Sequence, residues 1–312
     1  MLSRKSLAFL FVVYLVVALA SSAHARVWHV PGDAPILSGV LDQVEAGDVI
    51  ELCCSRHKIV GRNYVIPAGI TIRSSFGMPG TCLFVECPCG PDDWRNAPVF
   101  VVEEAGLPVV FEGITFEGFT LTEGVEYVHN PIVHVTNGTL MIRDCIVTDF
   151  YKNAFYFDGG SGVITGTVFE SGRGCPSSLW FEGESLLIED CVFRDNSWIQ
   201  DCGELRGSVI NLHDGLTTMN RCEFVDNGPL WHVMVVGEDA TVLANEVNFA
   251  NNAAAYEGCI DGGVVDFICC EINLNMWDID PESVVTVNND DCGTVVVEAR
   301  SWSGVKSLFR QE

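Results

Sequence analysis

The sequence predicts an all-β solenoid, and three observations carry that reading. A Cys-x-Phe-x-x-Asn unit is written twice, as Cys191-Val-Phe193-Arg-Asp-Asn196 and Cys222-Glu-Phe224-Val-Asp-Asn227, with its phenylalanines 31 positions apart. The same phase extends through Phe116, Val147, Phe169, Phe193, Phe224, Phe249 and Ile272, in steps of 22 to 31 residues. Around these positions apolar and polar residues alternate, and Gly, Asn or Asp punctuates the segments. Units of this length cannot bury an apolar face alone, so they must stack.

The first element is an export signal, Met1 to Ala25. Arg4 and Lys5 precede the apolar run Leu7 to Ala20, and Ala23-His-Ala25 supplies a small-x-small cleavage site. Later segments lack the uninterrupted apolar length of a membrane span. The mature chain is therefore expected to be secreted or extracytoplasmic, in a periplasm or at a cell surface, with no membrane span. Fourteen cysteines, all after the signal, suggest disulfides in such a compartment. Their pairing is open; Cys82 with Cys87 or Cys89 is the first choice, and stacked Cys145, Cys191 and Cys222 could instead be buried thiols.

Ile36, Val40, Leu41 and Val44 fall on one helical face, with Asp33 as the expected N-cap and Gly47 as the C-cap. This short helix would close the open end of the solenoid. Val49-Ile-Glu-Leu52 follows as a strand. The motif Trp28-His-Val-Pro-Gly-Asp33, the helix, Ala46-Gly-Asp-Val-Ile-Glu-Leu52 and Ile66-Pro-Ala-Gly-Ile-Thr-Ile-Arg73 together resemble the N-terminus of secreted bacterial proteins of the pectin-lyase-like superfamily. That resemblance covers nearly the whole mature chain and implies a right-handed parallel β-helix over residues 26–292. Cys53-Cys54-Ser-Arg-His departs from the pattern of that group.

An irregular, turn-rich loop is expected over about 76–98, and alternating strands resume at Val99. The phase makes columns: Cys145, Thr167, Cys191, Cys222, Val247 and Cys270; the Phe column beside it; and an Asn ladder of Asn196, Asn227, Asn252 and Asn275. Asn tolerates unusual turn angles and can bond to its neighbours above and below. Residues 293–312 read as a last strand and a capping or sorting tail. Phe-x-x-Asn, with Gly262-Gly-Val-Val265, also partly resembles polymorphic outer-membrane autotransporter repeats, which would imply adhesion.

Acidic residues outnumber basic ones 42 to 17, for a net charge of −25. Such a surface repels nucleic acid and other polyanions unless a cation intervenes. The pectin-lyase-like resemblance implies two possible chemistries. Lyases hold calcium on Asp or Glu beside an Arg or Lys base; hydrolases pair carboxylates. The densest charged patch is Arg194, Asp195, Asp201, Glu204, Arg206, His213, Asp214 and Arg221. All of these but His213, which reads as part of a turn, are the candidate catalytic residues, although each also suits a solvated turn or strand. The following hydrolase elements are absent after Asn288-Asn-Asp-Asp291, and there is no Gly-x-Ser-x-Gly elbow or phosphate loop.

No cofactor is implied, with calcium the one candidate ion, at Asp278, Asp280, Asp290 or Asp291. Trp180, Trp198, Trp231, Trp277 and Tyr256 could line a sugar-binding strip or pack into the core. The expected function is a monomeric, non-catalytic module that binds carbohydrate or a surface protein through a lateral face. The competing reading is a polysaccharide lyase or glycoside hydrolase working in a groove of the same solenoid.

Overall fold

In the computed structural model the described residues are 25–53, 56–60, 63–77, 79, 81–86, 99–117, 131–150, 153–173, 178–197, 207–270 and 272–288. The predicted export signal, apart from Ala25, and the 293–312 tail lie outside them. So do Cys87, Cys89 and most of the 76–98 loop, although Thr81–Glu86 within that span forms a strand.

The chain winds as a parallel β-helix. Among the described residues every pairing between strands is parallel, each coil lying over the next in register. Among the described residues the strands form one sheet of seventeen and one of eight. The large sheet folds along its length into two faces. Leu179–Glu189, Ile210–Asn220 and Leu230–Asn245 run through that fold, whereas other coils use two shorter strands, such as Val133–Val135 and Thr139–Arg143. The short sheet then adds three to six residues per coil, three in Val192–Arg194 and Glu223–Val225 and six in Thr81–Glu86.

Alternation decides what is inside. Phe169 stacks on Phe193 at 4.7 Å between ring centroids, Phe193 on Phe224 at 4.7 Å, and Phe224 on Phe249 at 5.1 Å. Cys145, Thr167, Cys191, Cys222, Val247 and Cys270 form a second buried column beside them. The expected aromatic stack and thiol column are therefore both present, and Cys145, Cys191 and Cys222 are free thiols.

Two corners are made by residues in the left-handed region. Gly113, Asp144, Gly166, Asp190, Arg221 and Glu246 turn the chain into the short sheet, with φ between 50° and 63°. Asp149, Ser171, Asp195, Asp226 and Asn251 turn it out again, with φ between 50° and 56°. Here the structure corrects the expectation for the ladder. The residue before each ladder Asn takes the left-handed angle at Asn196, Asn227 and Asn252. The Asn itself turns inward, because its amide is needed there. Asn196 Nδ2 donates to Asn227 Oδ1 at 3.0 Å, and Asn227 Nδ2 donates to Asn252 Oδ1 at 2.9 Å.

The N-terminal helix is shorter than expected, Leu37–Leu41, with Ile36 as N-cap and Asp42 as C-cap. Asp33 does not cap it. Its carboxylate accepts the His29 N–H at 2.7 Å, closing the preceding turn. Leu37, Val40 and Leu41 are buried in the core and plug the first coil. Asp48 fastens the coil behind them, accepting from Trp28 Nε1 at 2.9 Å, Arg26 N at 2.8 Å and Glu45 N at 3.1 Å.

Chain length varies mainly where the short sheet hands over to the next coil. That connection is long between Ile114–Glu117 and Val133–Val135, and between Val192–Arg194 and Ile210–Asn220. It is short between Glu223–Val225 and Leu230–Asn245. Among the described residues no helix is long and apolar enough to cross a membrane.

Candidate functional site

Parallel register lets an outward column be followed from coil to coil. One such column reads Val101, His134, Tyr156, Trp180, Asn211, Val235, Cys259 and Asp278. At His134, Tyr156 and Trp180 the local pattern is apolar–ring–apolar, as in Val133-His-Val135 and Phe155-Tyr-Phe157. The flanking side chains are buried and the ring is left half-buried on the outer face.

These rings meet. His134 and Tyr156 have centroids 5.0 Å apart, Tyr156 and Trp180 6.3 Å, and Trp180 and His213 4.5 Å with planes 26° apart. His213 is not in the column by register. Leu212 pairs with Phe181 and Asp214 with Glu182, so His213 is the extra residue of a β-bulge. A bulge re-aims a side chain, and here it brings the imidazole against the indole.

Beside the rings a second register column holds Asp158, Glu182, Asp214 and Asp239. Trp180 Nε1 donates to Glu182 Oε1 at 2.9 Å, which fixes the indole plane. Burial lowers the His134 pKa from its ordinary value, opposed by Asp158. Burial likewise lowers that of His213, opposed by Glu182 and Asp261. Burial, then Glu182 and Asp158, raise that of Tyr156. At neutral pH the strip is therefore uncharged and borders carboxylates. Among the described residues, His134 Nε2 and His213 Nε2 are shielded from solvent with no hydrogen-bond partner.

The charged residues singled out in the sequence are dispersed. Arg194 lies on the short sheet and donates to Glu170 one coil away, Nη2 to Oε2 at 2.6 Å. Asp195 forms the corner that follows. Arg221 occupies the opposite corner, donating to Asp190 at 2.6 Å and to Glu189 at 2.7 Å. Both guanidinium groups thus tie adjacent coils together. His213 and Asp214 stand at the bulge, on the large sheet. Asp201, Glu204 and Arg206 lie outside the described residues, as do Asp290 and Asp291.

Asp280 accepts the Glu282 N–H at 2.8 Å in a local turn. Asp278 instead sits with His232 and Cys259, their ligand atoms all within 4.8 Å of one another. Of the aromatic residues proposed for a sugar strip, only Trp180 belongs to the ring column. Trp277 is 3% exposed and packs edge-on against Phe249 and Phe267, in space left by Gly258, where a Cβ would collide with its ring. Tyr256 stacks on His232, Trp231 lies at the surface, and Trp198 lies outside the described residues. Sequence reasoning missed His134 and Tyr156, although the apolar–ring–apolar triplets were a signal that could have found them.

No family model matches the chain, and no curated protein matches it. Among solved structures, two alignments cover most of the chain. Pectate lyase Pel9A aligns with a TM-score of 0.50 at 11% identity, over 86% of this chain and 79% of the lyase. ORF18 of Geobacillus virus E2 aligns with a TM-score of 0.48 at 14% identity, over 92% of this chain. The chain spans 64% of the length of that viral protein. At 11% identity the alignment with the lyase speaks to fold alone, and this fold hosts many activities.

Proposed function

We propose that the chain is an exported β-helix module that binds carbohydrate, without turnover, across the face built by His134, Tyr156, Trp180 and His213. The observation that carries this reading is the continuous run of rings on one lateral face, with a row of carboxylates alongside. Aromatic faces offer apolar area to the C–H side of a pyranose, and the adjacent acceptors suit its hydroxyls. The acidic surface makes a neutral glycan the better fit than a polyuronate. The strip also borders the edge where connections vary in length, the usual place for recognition on a rigid scaffold.

A glycan array followed by calorimetric titration tests this. Trp180→Ala should lower affinity for the best glycan by about tenfold or more, an expectation based on about 1–3 kcal/mol for a lost stacking contact. Unchanged affinity with intact far-UV circular dichroism would sink the assignment of the face. The competing reading is a polysaccharide lyase, supported by the shared winding with a pectate lyase. Against it, Arg194 and Arg221 are held in ion pairs with carboxylates of neighbouring coils. Formation of unsaturated product from polygalacturonate with calcium, abolished by Arg194→Ala or Arg221→Ala, would establish the lyase instead.

A further inference from the structure

We propose that His232, Cys259 and Asp278 form a binding site for a divalent transition metal of the zinc class. The three come from successive coils, Leu230–Asn245, Ala254–Ile260 and Trp277–Ile279, with no spacing motif in sequence. Winding brings them together. Cys259 and Asp278 are register partners in the same outward column, and His232 reaches them from the coil before. Their ligand atoms all lie within 4.8 Å of one another.

The donor chemistry selects the ion. One imidazole nitrogen, one thiol sulfur and one carboxylate oxygen match zinc, cobalt or copper, whereas calcium and magnesium require oxygen shells. Bonds of about 2.0–2.3 Å need the donors slightly closer together, and the exposed Asp278 can supply that by changing rotamer. His232 is 3% exposed and its ring lies on Tyr256 at 5.7 Å, so the least mobile ligand is already held. Three protein ligands leave a fourth tetrahedral position for water or a ligand atom. Binding requires a thiolate and a neutral imidazole, so affinity should fall as pH drops. The site is separate from the ring strip and stands or falls without the carbohydrate reading.

Cobalt(II) titration of the purified, thiol-reduced chain gives the direct test. The expected result is saturation at a single equivalent, with thiolate-to-cobalt charge-transfer absorption that zinc abolishes by displacement and calcium does not. Cys259→Ser should remove the band. Asp278→Asn, at an exposed position, should keep the fold and weaken binding roughly tenfold or more, comparable to the loss seen on disturbing metal-site partners. Zinc should raise the melting temperature of the parent chain and, at the same concentration, raise that of Asp278→Asn by less. Absence of the band in the parent, or its survival in Cys259→Ser, overturns the site. If Cys259→Ser does not fold, undiminished cobalt affinity in Asp278→Asn overturns it equally.

Discussion

Asp48 accepts three N–H groups at the first coil, from Trp28, Arg26 and Glu45. Burial alone would raise its pKa, but the donors and the Arg26 charge outweigh that and leave it below the ordinary 3.8. A lowered carboxyl pKa means that the folded chain holds fewer protons than the unfolded one near pH 4. The stabilisation is present above about pH 4 and is lost as pH falls through the folded value. Asp48→Ala leaves those donors without their acceptor and should cost about 1–3 kcal/mol in urea unfolding at pH 7. The difference from the parent should shrink in acid.

The buried thiols behave in the opposite sense. Burial pushes Cys145 up from 9.0 to about 12 and Cys222 to about 11, and it also raises Cys191. Each sulfhydryl is turned onto a carbonyl two residues back, as Cys191 Sγ donates to Glu189 O at 3.2 Å. Raised values favour the protonated folded state, so this stability is complete below pH 9 and declines as pH rises towards 11 to 12. Urea midpoints measured across pH 8 to 11 should be level and then fall. In the native chain at pH 8, an aromatic disulfide reagent should label exposed Cys53 while Cys145, Cys191 and Cys222 stay inert.

At the scale of the element, the Asn ladder is the vulnerable part. Asn227 is fully buried; it donates to Phe193 O at 2.9 Å, and its Oδ1 accepts both the N–H and the amide of Asn196. Asn227→Ala strands the Phe193 carbonyl and the Asn196 N–H of the preceding coil and should destabilise by about 2–6 kcal/mol, summing penalties of about 1–3 kcal/mol for each of the two buried groups. Asn252→Ala, nearer the end of the ladder and only partly buried, should cost less. Equal losses from the two variants in chemical denaturation would contradict a ladder anchored at its centre.

Elements of this kind differ in how far a sequence discloses them. The Phe and Cys columns were legible because every coil places them in the same phase from the corner, whatever the length of its connections. The left-handed angle was assigned one residue late, because Asn suits the corner itself as well as the inward amide position. Capping by Asp33 was expected from residue type alone, whereas the His29 N–H competes for that carboxylate. His213 could not be placed in advance, since one inserted residue decides whether it faces Trp180. The His232, Cys259 and Asp278 grouping becomes visible only once the winding is known.

Over the whole molecule the imbalance of 42 acidic to 17 basic residues sets up self-repulsion in the compact state. Ion pairs such as Arg73 with Glu51, Arg194 with Glu170 and Arg221 with Asp190 each join neighbouring coils and relieve it locally. Among the described residues most carboxylates have no such relief, so screening should help the folded chain. Scanning calorimetry should show the melting temperature rising as sodium chloride increases from about ten to about a hundred millimolar, where the screening length shortens from roughly 30 Å to 10 Å. A falling melting temperature would mean that the coil-to-coil ion pairs outweigh the repulsion.

The handover from the short sheet to the following coil is where segments have grown or shrunk between one turn of the spiral and the next. Across the long connection between Val192–Arg194 and Ile210–Asn220, ladder pairing, both left-handed corners and the ring stack keep their spacing. New sequence can therefore be spliced in along that one margin and alter what the protein touches, while the machinery that folds it stays the same.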